Sequence, residues 1–240
     1  MRLRNIPGAD DVIQNHPVAI KNEIEQKGKW HTVFGNENPI HIEIGMGKGQ
    51  FLLNLAKQNP QINYIGIERY SSVLLRALEK YDTEEFCDMK NIRFICMDAF
   101  TLPDVFGEGE VAKIYLNFSD PWPKARHAGR RLTSTRFFGQ YDKVLAQDGV
   151  VEFKTDNSQL FEFSLEQVAE AGWKLLAHTY DLHHDEKMNV GNIMTEYEQK
   201  FSSLGNPIHK LIAARNSIRT IKDKAENNPN NKRAVAMLRT

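Results

Sequence analysis

The chain has 240 residues, 41% of them hydrophobic and 26% charged, with 31 Lys plus Arg against 31 Asp plus Glu. That length supports one domain with a sizeable core, and a net charge of zero excludes a wholesale polycation, so any nucleic-acid surface has to be local. Cys87 and Cys96 match no metal or redox spacing, residues 1–11 carry no apolar core of a signal peptide, and no segment approaches the apolar length of a membrane span, so the composition predicts a reduced, cytoplasmic protein off the membrane.

Strand and helix signals alternate from about residue 40. Ile40-His41-Ile42-Glu43-Ile44 alternates apolar and polar and then meets Gly45. Phe51, Leu52 and Leu55 follow at helical spacing, closed by Pro60. Tyr64 to Ile67 reads as a second strand ending at Glu68, and Val73, Leu74, Ala77, Leu78 and Tyr81 share one helix face. Ile92 to Met97 is a third strand ending at Asp98, and Lys113 to Phe118 a fourth. Phe137, Phe138, Tyr141, Val144 and Leu145 make another helical stripe, Gly149 to Lys154 a fifth strand, and Asn157 can cap a helix running to Gly172. Trp173 to Tyr180 is a sixth strand. Thr195-Glu196-Tyr197-Glu198 has the form of a capping box, with Gly205 at the helix end. Residues 208–212 form a last strand or a helix. This alternation predicts an α/β fold, a doubly wound, mostly parallel, seven-stranded sheet with helices on both faces. Residues 1–35 read as an appended helix and loop packed on that sheet, 36–215 as the main domain, and 216–240 as a basic, polar tail with little order.

Two prolines one residue apart in Asn117-Phe118-Ser119-Asp120-Pro121-Trp122-Pro123-Lys124 stop the fourth strand, because each lacks a ladder donor and fixes its own φ. A carboxylate, an indole and an ammonium are thereby displayed on a stiff loop past a strand's carboxyl end, where ligands of open α/β sheets bind. Glu43-Ile44-Gly45-Met46-Gly47-Lys48-Gly49 joins the first strand to its helix, and Gly45, Gly47 and Gly49 allow close approach of a ligand to backbone. Such a turn by itself serves nucleotides, flavins and methyl donors alike. Glu43 narrows the choice: an acid before the glycines repels a pyrophosphate and favours a ligand with an ammonium and a sulfonium, S-adenosylmethionine over NAD. Glu68 can accept from both ribose hydroxyls, and Asp98 from an adenine amino group. Residues 124–136 carry five Lys or Arg and no acid, which favours a polyanionic partner. His183 and His184, adjacent in a strand, would face opposite sides, so no metal site is expected.

The turn from Glu43 to Gly49, the Asn117 to Lys124 loop, the basic run Arg126 to Arg131, Phe153-Lys154-Thr155-Asp156-Asn157 and Thr195 to Glu198 together resemble the bacterial tRNA (guanine-N7)-methyltransferase family. The resemblance spans the chain to about residue 205. It implies a Rossmann-like, class I S-adenosylmethionine-dependent methyltransferase that acts on a guanosine in the tRNA variable loop, position 46 of the tRNA. It further implies that Glu43, Glu68, Asp98 and Asp120 contact the methyl donor or flank its methyl group, with Asp120 catalytic. Lys124, Asp156, Thr195, Glu196, Tyr197 and Glu198 match substrate-binding positions, and Arg126, Arg130 and Arg131 are expected to grip the tRNA. Trp122 either stacks on the base or, the favoured reading, buttresses the loop. The rivals are a methyltransferase acting on another RNA or on protein, and an RNA-binding module without catalysis. The oligomeric expectation is a monomer or a homodimer.

Overall fold

The computed structural model describes residues 5–215, and the tail expected at 216–240 lies outside them. The strands are β1 (Ala19–Ile20), β2 (Ile40–Ile44), β3 (Asn63–Glu68), β4 (Ile92–Cys96), β5 (Val111–Asn117), β6 (Leu145–Thr155), β7 (Lys174–Thr179) and β8 (His209–Ala214). They form one sheet in the order β1-β4-β3-β2-β5-β6-β8-β7. All pairings are parallel except those of β8, which runs antiparallel to both β6 and β7. The helices are α1 (Ala9–Asn15), α2 (Trp30–Phe34), α3 (Gln50–Gln58), α4 (Ser71–Tyr81), α5 (Leu102–Val105), α6 (Thr135–Val144), α7 (Ser158–Glu170) and α8 (Glu196–Ser202).

Period-two alternation sends the strands' side chains to two unlike faces. Ile42, Ile65, Ile114, Leu116, Phe153 and Leu211 build one fully apolar core with Trp30 and with Phe138 and Tyr141 of α6. The opposite face packs Tyr64, Phe94 and Tyr115 against Phe51 and Leu52 of α3 and Leu74 and Leu78 of α4. Each fully buried aliphatic side chain contributes roughly 1.5–3 kcal/mol of transfer free energy, so both layers hold the sheet from either side. The second face carries buried charge as well: Glu43 on β2, Glu152 and Lys154 on β6, and Lys210 on β8.

The doubly wound architecture is as expected, with eight strands in place of seven. The extra strand, β1, pairs Ala19 with Phe94 and Ile20 with Ile95 at the sheet edge; two residues are too few to display a period. The N-terminal segment is therefore part of the sheet and not only packed on it. Leu145, at the end of the helical stripe, opens β6 opposite Val111. Residues 209–214 take the strand option because the sheet has an open slot between β6 and β7, where Leu211 and Ala213 fill the apolar layer and Lys210 reaches Glu152 at 2.9 Å. Asn157 caps α7 by accepting from the Leu160 amide. The last helix stops at Ser202, three residues before Gly205, which was expected just past its end.

Candidate active site

The strand order reverses around β2, which lies between β3 and β5. That is where an open α/β sheet forms a crevice at its carboxyl edge. A cleft of about 640 Å³ opens there, and Gly45, Glu68, Asp98 and Asp120 line it together with Trp122 and Arg130. Acids from the ends of β3, β4 and β5 thus meet beside the Gly-rich turn, as their strand-end positions required.

Glu68 is held by two backbone donors, the Gly47 amide at 3.1 Å and the Tyr70 amide at 3.0 Å. Burial nevertheless raises its pKa above the ordinary value, and the nearby Asp120 charge adds to that. Asp98 accepts from the Phe100 amide at 2.9 Å and stands 3.7 Å from Arg69, with its carboxylate half exposed. Asp120 is exposed at the tip of its loop.

Glu43, on β2 just before the lining residues Ile44 and Gly45, is 2% exposed and is not itself part of the cleft wall. Its Oε1 accepts from the Asn117 amide nitrogen at 2.8 Å. Its Oε2 and the Asn117 Oδ1 are both buried with no partner within the protein. Two orphaned acceptors side by side call for a donor-rich, cationic group. Burial pushes the Glu43 carboxyl up to about 8, against the opposing pull of Asn117 and the Lys154 ammonium.

Gly49 has a packing reason of its own: it caps the start of α3 at φ 76°, and a Cβ there would stand 3.0 Å from the Ala77 Cβ of α4. Gly47 donates its amide to Glu68 and lies off the cleft wall.

The loop after β5 stores backbone strain. Phe118 at φ 51° and Trp122 at φ 41° are the non-glycine residues with positive φ among those described, a conformation that costs of order 1–3 kcal/mol each. Three hydrogen bonds hold it. The Phe118 amide donates to the Lys154 carbonyl at 2.8 Å. Arg131 donates from Nε to the Pro121 carbonyl at 3.0 Å and from Nη2 to the Trp122 carbonyl at 3.1 Å. Arg131, expected to grip the tRNA, spends two of its donors stapling this loop. Arg130 lines the cleft, with its guanidinium 5.0 Å from the Trp122 ring centroid. Lys124 and Arg126 are exposed and lie off the cleft wall.

Thr195 to Glu198 form the expected capping box. Tyr197 donates to Asp156 at 3.0 Å, and its ring centroid lies 4.9 Å from that of Phe118, so this motif is joined to the Asp120 loop. Glu196 pairs with Lys80 of α4 at 2.7 Å. Glu198 is 0% exposed, ion-paired with Lys154 at 2.6 Å and hydrogen-bonded by His183 and Asn192. Its oxygens are thus engaged inside the protein; the capping-box signal was right, and the direction of the side chain was not visible in it.

Several cleft residues gave no sequence signal of their own. Phe100 and Arg136 line the wall, and the Arg136 guanidinium sits 3.9 Å from the Phe100 ring centroid. Their places, two residues after Asp98 and at the end of the basic run, were the available hints.

A family model described as "Putative methyltransferase" matches residues 37–211. The tRNA (guanine-N(7)-)-methyltransferase of Lachnoclostridium phytofermentans is 60% identical over 215 residues, 90% of this chain and 99% of that protein. The Bacillus subtilis protein of the same name is 53% identical over 88% of this chain and 97% of its own length. Among solved structures, an antibiotic-related methyltransferase aligns with a TM-score of 0.62 at 15% identity, covering 84% of this chain and 98% of that one. The 16S rRNA methyltransferase KamB aligns at 0.60 and 15% identity, covering 79% and 94%. At that identity the likeness is one of fold.

Proposed function

This chain belongs to the bacterial tRNA (guanine-N7)-methyltransferase family, and from that membership we propose how its cleft performs the reaction, with S-adenosylmethionine as donor and the guanine at position 46 of the tRNA variable loop as acceptor. The enzyme methylates N7 of a guanine in tRNA. Bound in the cleft, S-adenosylmethionine supplies an electrophilic methyl on a sulfonium. The orphaned Glu43 and Asn117 oxygens carry this reading, because they match a ligand ammonium. Glu68 accepts from the ribose hydroxyls, Asp98 from the adenine amino group, and Gly45 leaves room for the ligand against the turn.

Guanine N7 has a lone pair and no proton at neutral pH, so the transfer needs no general base. The protein's work is placement and charge stabilisation. Asp120, at the tip of the strained loop, accepts from the guanine N1–H and amino group and stabilises the cation that grows on the imidazole ring. Adenine offers a bare N1 there and is rejected. Arg130, with Lys124 and Arg126 on the outer surface, meets tRNA phosphates, and Trp122 buttresses the loop beneath Arg130. Asp156 and Thr195 to Tyr197 flank the incoming nucleotide, which is turned out of the tRNA stack to reach the cleft. The chain divides into an N-terminal segment, 1–35, a methyltransferase domain, 36–215, and a basic tail, 216–240, and it acts in the cytoplasm. No helix among the described residues is long and apolar enough to cross a membrane.

Methyl transfer from labelled S-adenosylmethionine to unmodified tRNA, with nucleoside analysis of the product, tests this. The expected product is 7-methylguanosine at position 46. Label on another base, or at another atom of guanine, would overturn the assignment.

A further inference from the structure

Lys154 is the most enclosed cation described, with a side chain 1% exposed near the carboxyl end of β6. Three acceptors receive its ammonium: Glu198 Oε2 at 2.6 Å, the Ile193 carbonyl at 3.0 Å and Asn192 Oδ1 at 3.1 Å. All three lie on the segment that leads into and begins α8. The same residue's carbonyl accepts from Phe118, the first left-handed residue of the Asp120 loop. Its ammonium also lies 5.0 Å from the ring centroid of Phe51, in the first turn after the Gly-rich loop. One residue therefore touches the catalytic loop, the α8 motif and the helix that starts at the cofactor turn.

We propose that Lys154 is a positioning residue for tRNA: its ion pair with Glu198 sets the first turn of α8 so that Tyr197 packs on Phe118 and aligns the Asp120 loop with the incoming guanine. This rests on the tRNA methyltransferase reading above. The chain of contact is continuous. Lys154 holds Glu198, the capping box ties Glu198 to Thr195, and Tyr197 between them meets Phe118 at 4.9 Å and Asp156 at 3.0 Å. An ion pair buried this deeply is a weak contributor to stability compared with apolar packing. Its geometric use is to give α8 one seating instead of several.

Two full-length variants test it, Lys154→Met/Glu198→Gln, which removes both charges at nearly constant volume, and Glu198→Gln, which keeps the lysine. The readouts are thermal melting, binding of S-adenosylhomocysteine by calorimetry, and kcat/KM for tRNA, each measured with and without Tyr197→Ala. In Glu198→Gln, which keeps the Lys154 charge near Glu43, cofactor-product affinity stays within about threefold while kcat/KM for tRNA falls tenfold or more, and the paired variant shows at least the same fall on tRNA. Tyr197→Ala then adds little, although it is costly in the wild-type background, since both changes remove the same alignment. If the paired variant shows no cooperative melt, Glu198→Gln carries the same cycle. Additive losses, or a folded variant within twofold of wild type on tRNA, would overturn the role of Lys154. A wild-type chain that leaves tRNA unmethylated would instead strike at the enzymatic reading itself, and filter binding of tRNA to the same variants then decides the Lys154 contact separately.

Discussion

Asn117 donates to one oxygen of Glu43 at 2.8 Å and leaves the other oxygen buried without a partner. The two residues sit on the neighbouring strands β5 and β2, and burial pushes the Glu43 carboxyl up to about 8. At pH 7 the free protein therefore keeps Glu43 largely protonated. On the proposed pairing of Glu43 with the donor's ammonium, binding uses the carboxylate and association expels a proton. Calorimetry of S-adenosylhomocysteine in buffers of different ionisation enthalpy should report roughly half to one proton released at pH 7, with affinity rising from pH 6 to 8 and then levelling. A proton count of zero would separate Glu43 from the ammonium.

The same carboxyl makes a stability prediction with a definite sign. Its folded pKa is above the unfolded value, so the fold binds the proton more tightly than the unfolded chain does. The stability it lends is complete below about pH 4.5 and is lost as pH rises towards 8. Glu43→Gln is neutral at every pH and escapes that loss. The variant should melt close to wild type at pH 5 and higher than wild type at pH 8, by an amount worth on the order of 2–5 kcal/mol. It should also lose cofactor affinity. Equal pH dependence of the two melting temperatures would show that Glu43 does not carry the titration.

Asp120 is exposed and accepts no hydrogen bond from the described protein that would anchor the fold. Its removal should be nearly neutral for stability, within about 0.5 kcal/mol. On the proposed role of Asp120 as a charge stabiliser at the reacting base, its loss should lower kcat by about 10²–10³. Single-turnover methylation by Asp120→Ala, with melting as the control, checks this, and full retention of rate would remove Asp120 from the mechanism.

These residues differ in how far the sequence could reveal them. That Glu68, Asp98 and Asp120 would meet in one cleft was legible because each lies at or just past a strand's carboxyl end, and a parallel sheet brings such ends to one edge. Strands β2 to β5 were legible from their own apolar patterns. The two-residue β1 was not, since its membership depends on pairing with Phe94 and Ile95 and not on any pattern of its own. The ambiguity at Ile208 was resolved by tertiary context, an open place in the sheet beside β6. Side-chain direction was the harder limit. Arg130 and Arg131 are adjacent and chemically identical, yet one lines the cleft and the other turns back onto its own loop. Glu198 reads as a helix cap, and its buried partner Lys154 lies 44 residues away on another element, beyond any local periodicity.

That split between Arg130 and Arg131 gives the most discriminating prediction. Arg130 faces the cleft with its guanidinium stacked on Trp122 at 5.0 Å, so its charge is available to a phosphate. Arg130→Ala should weaken tRNA binding and reduce the slope of log affinity against log salt by about one unit, with melting little changed. Arg131 spends two donors on the Pro121 and Trp122 carbonyls and lays its guanidinium 4.2 Å from the Phe163 ring centroid. Arg131→Ala frees a loop that holds Phe118 and Trp122 in left-handed backbone, and the stored strain of order 1–3 kcal/mol per residue then relaxes by moving Asp120. Its expected mark is a fall in kcat with the salt slope intact. Arg131→Lys should not restore the rate, because an ammonium cannot span both carbonyls as the planar fork does. Salt titrations of tRNA affinity beside kcat for the three variants separate the two roles, and equal losses of slope at both positions would return Arg131 to the substrate-gripping set.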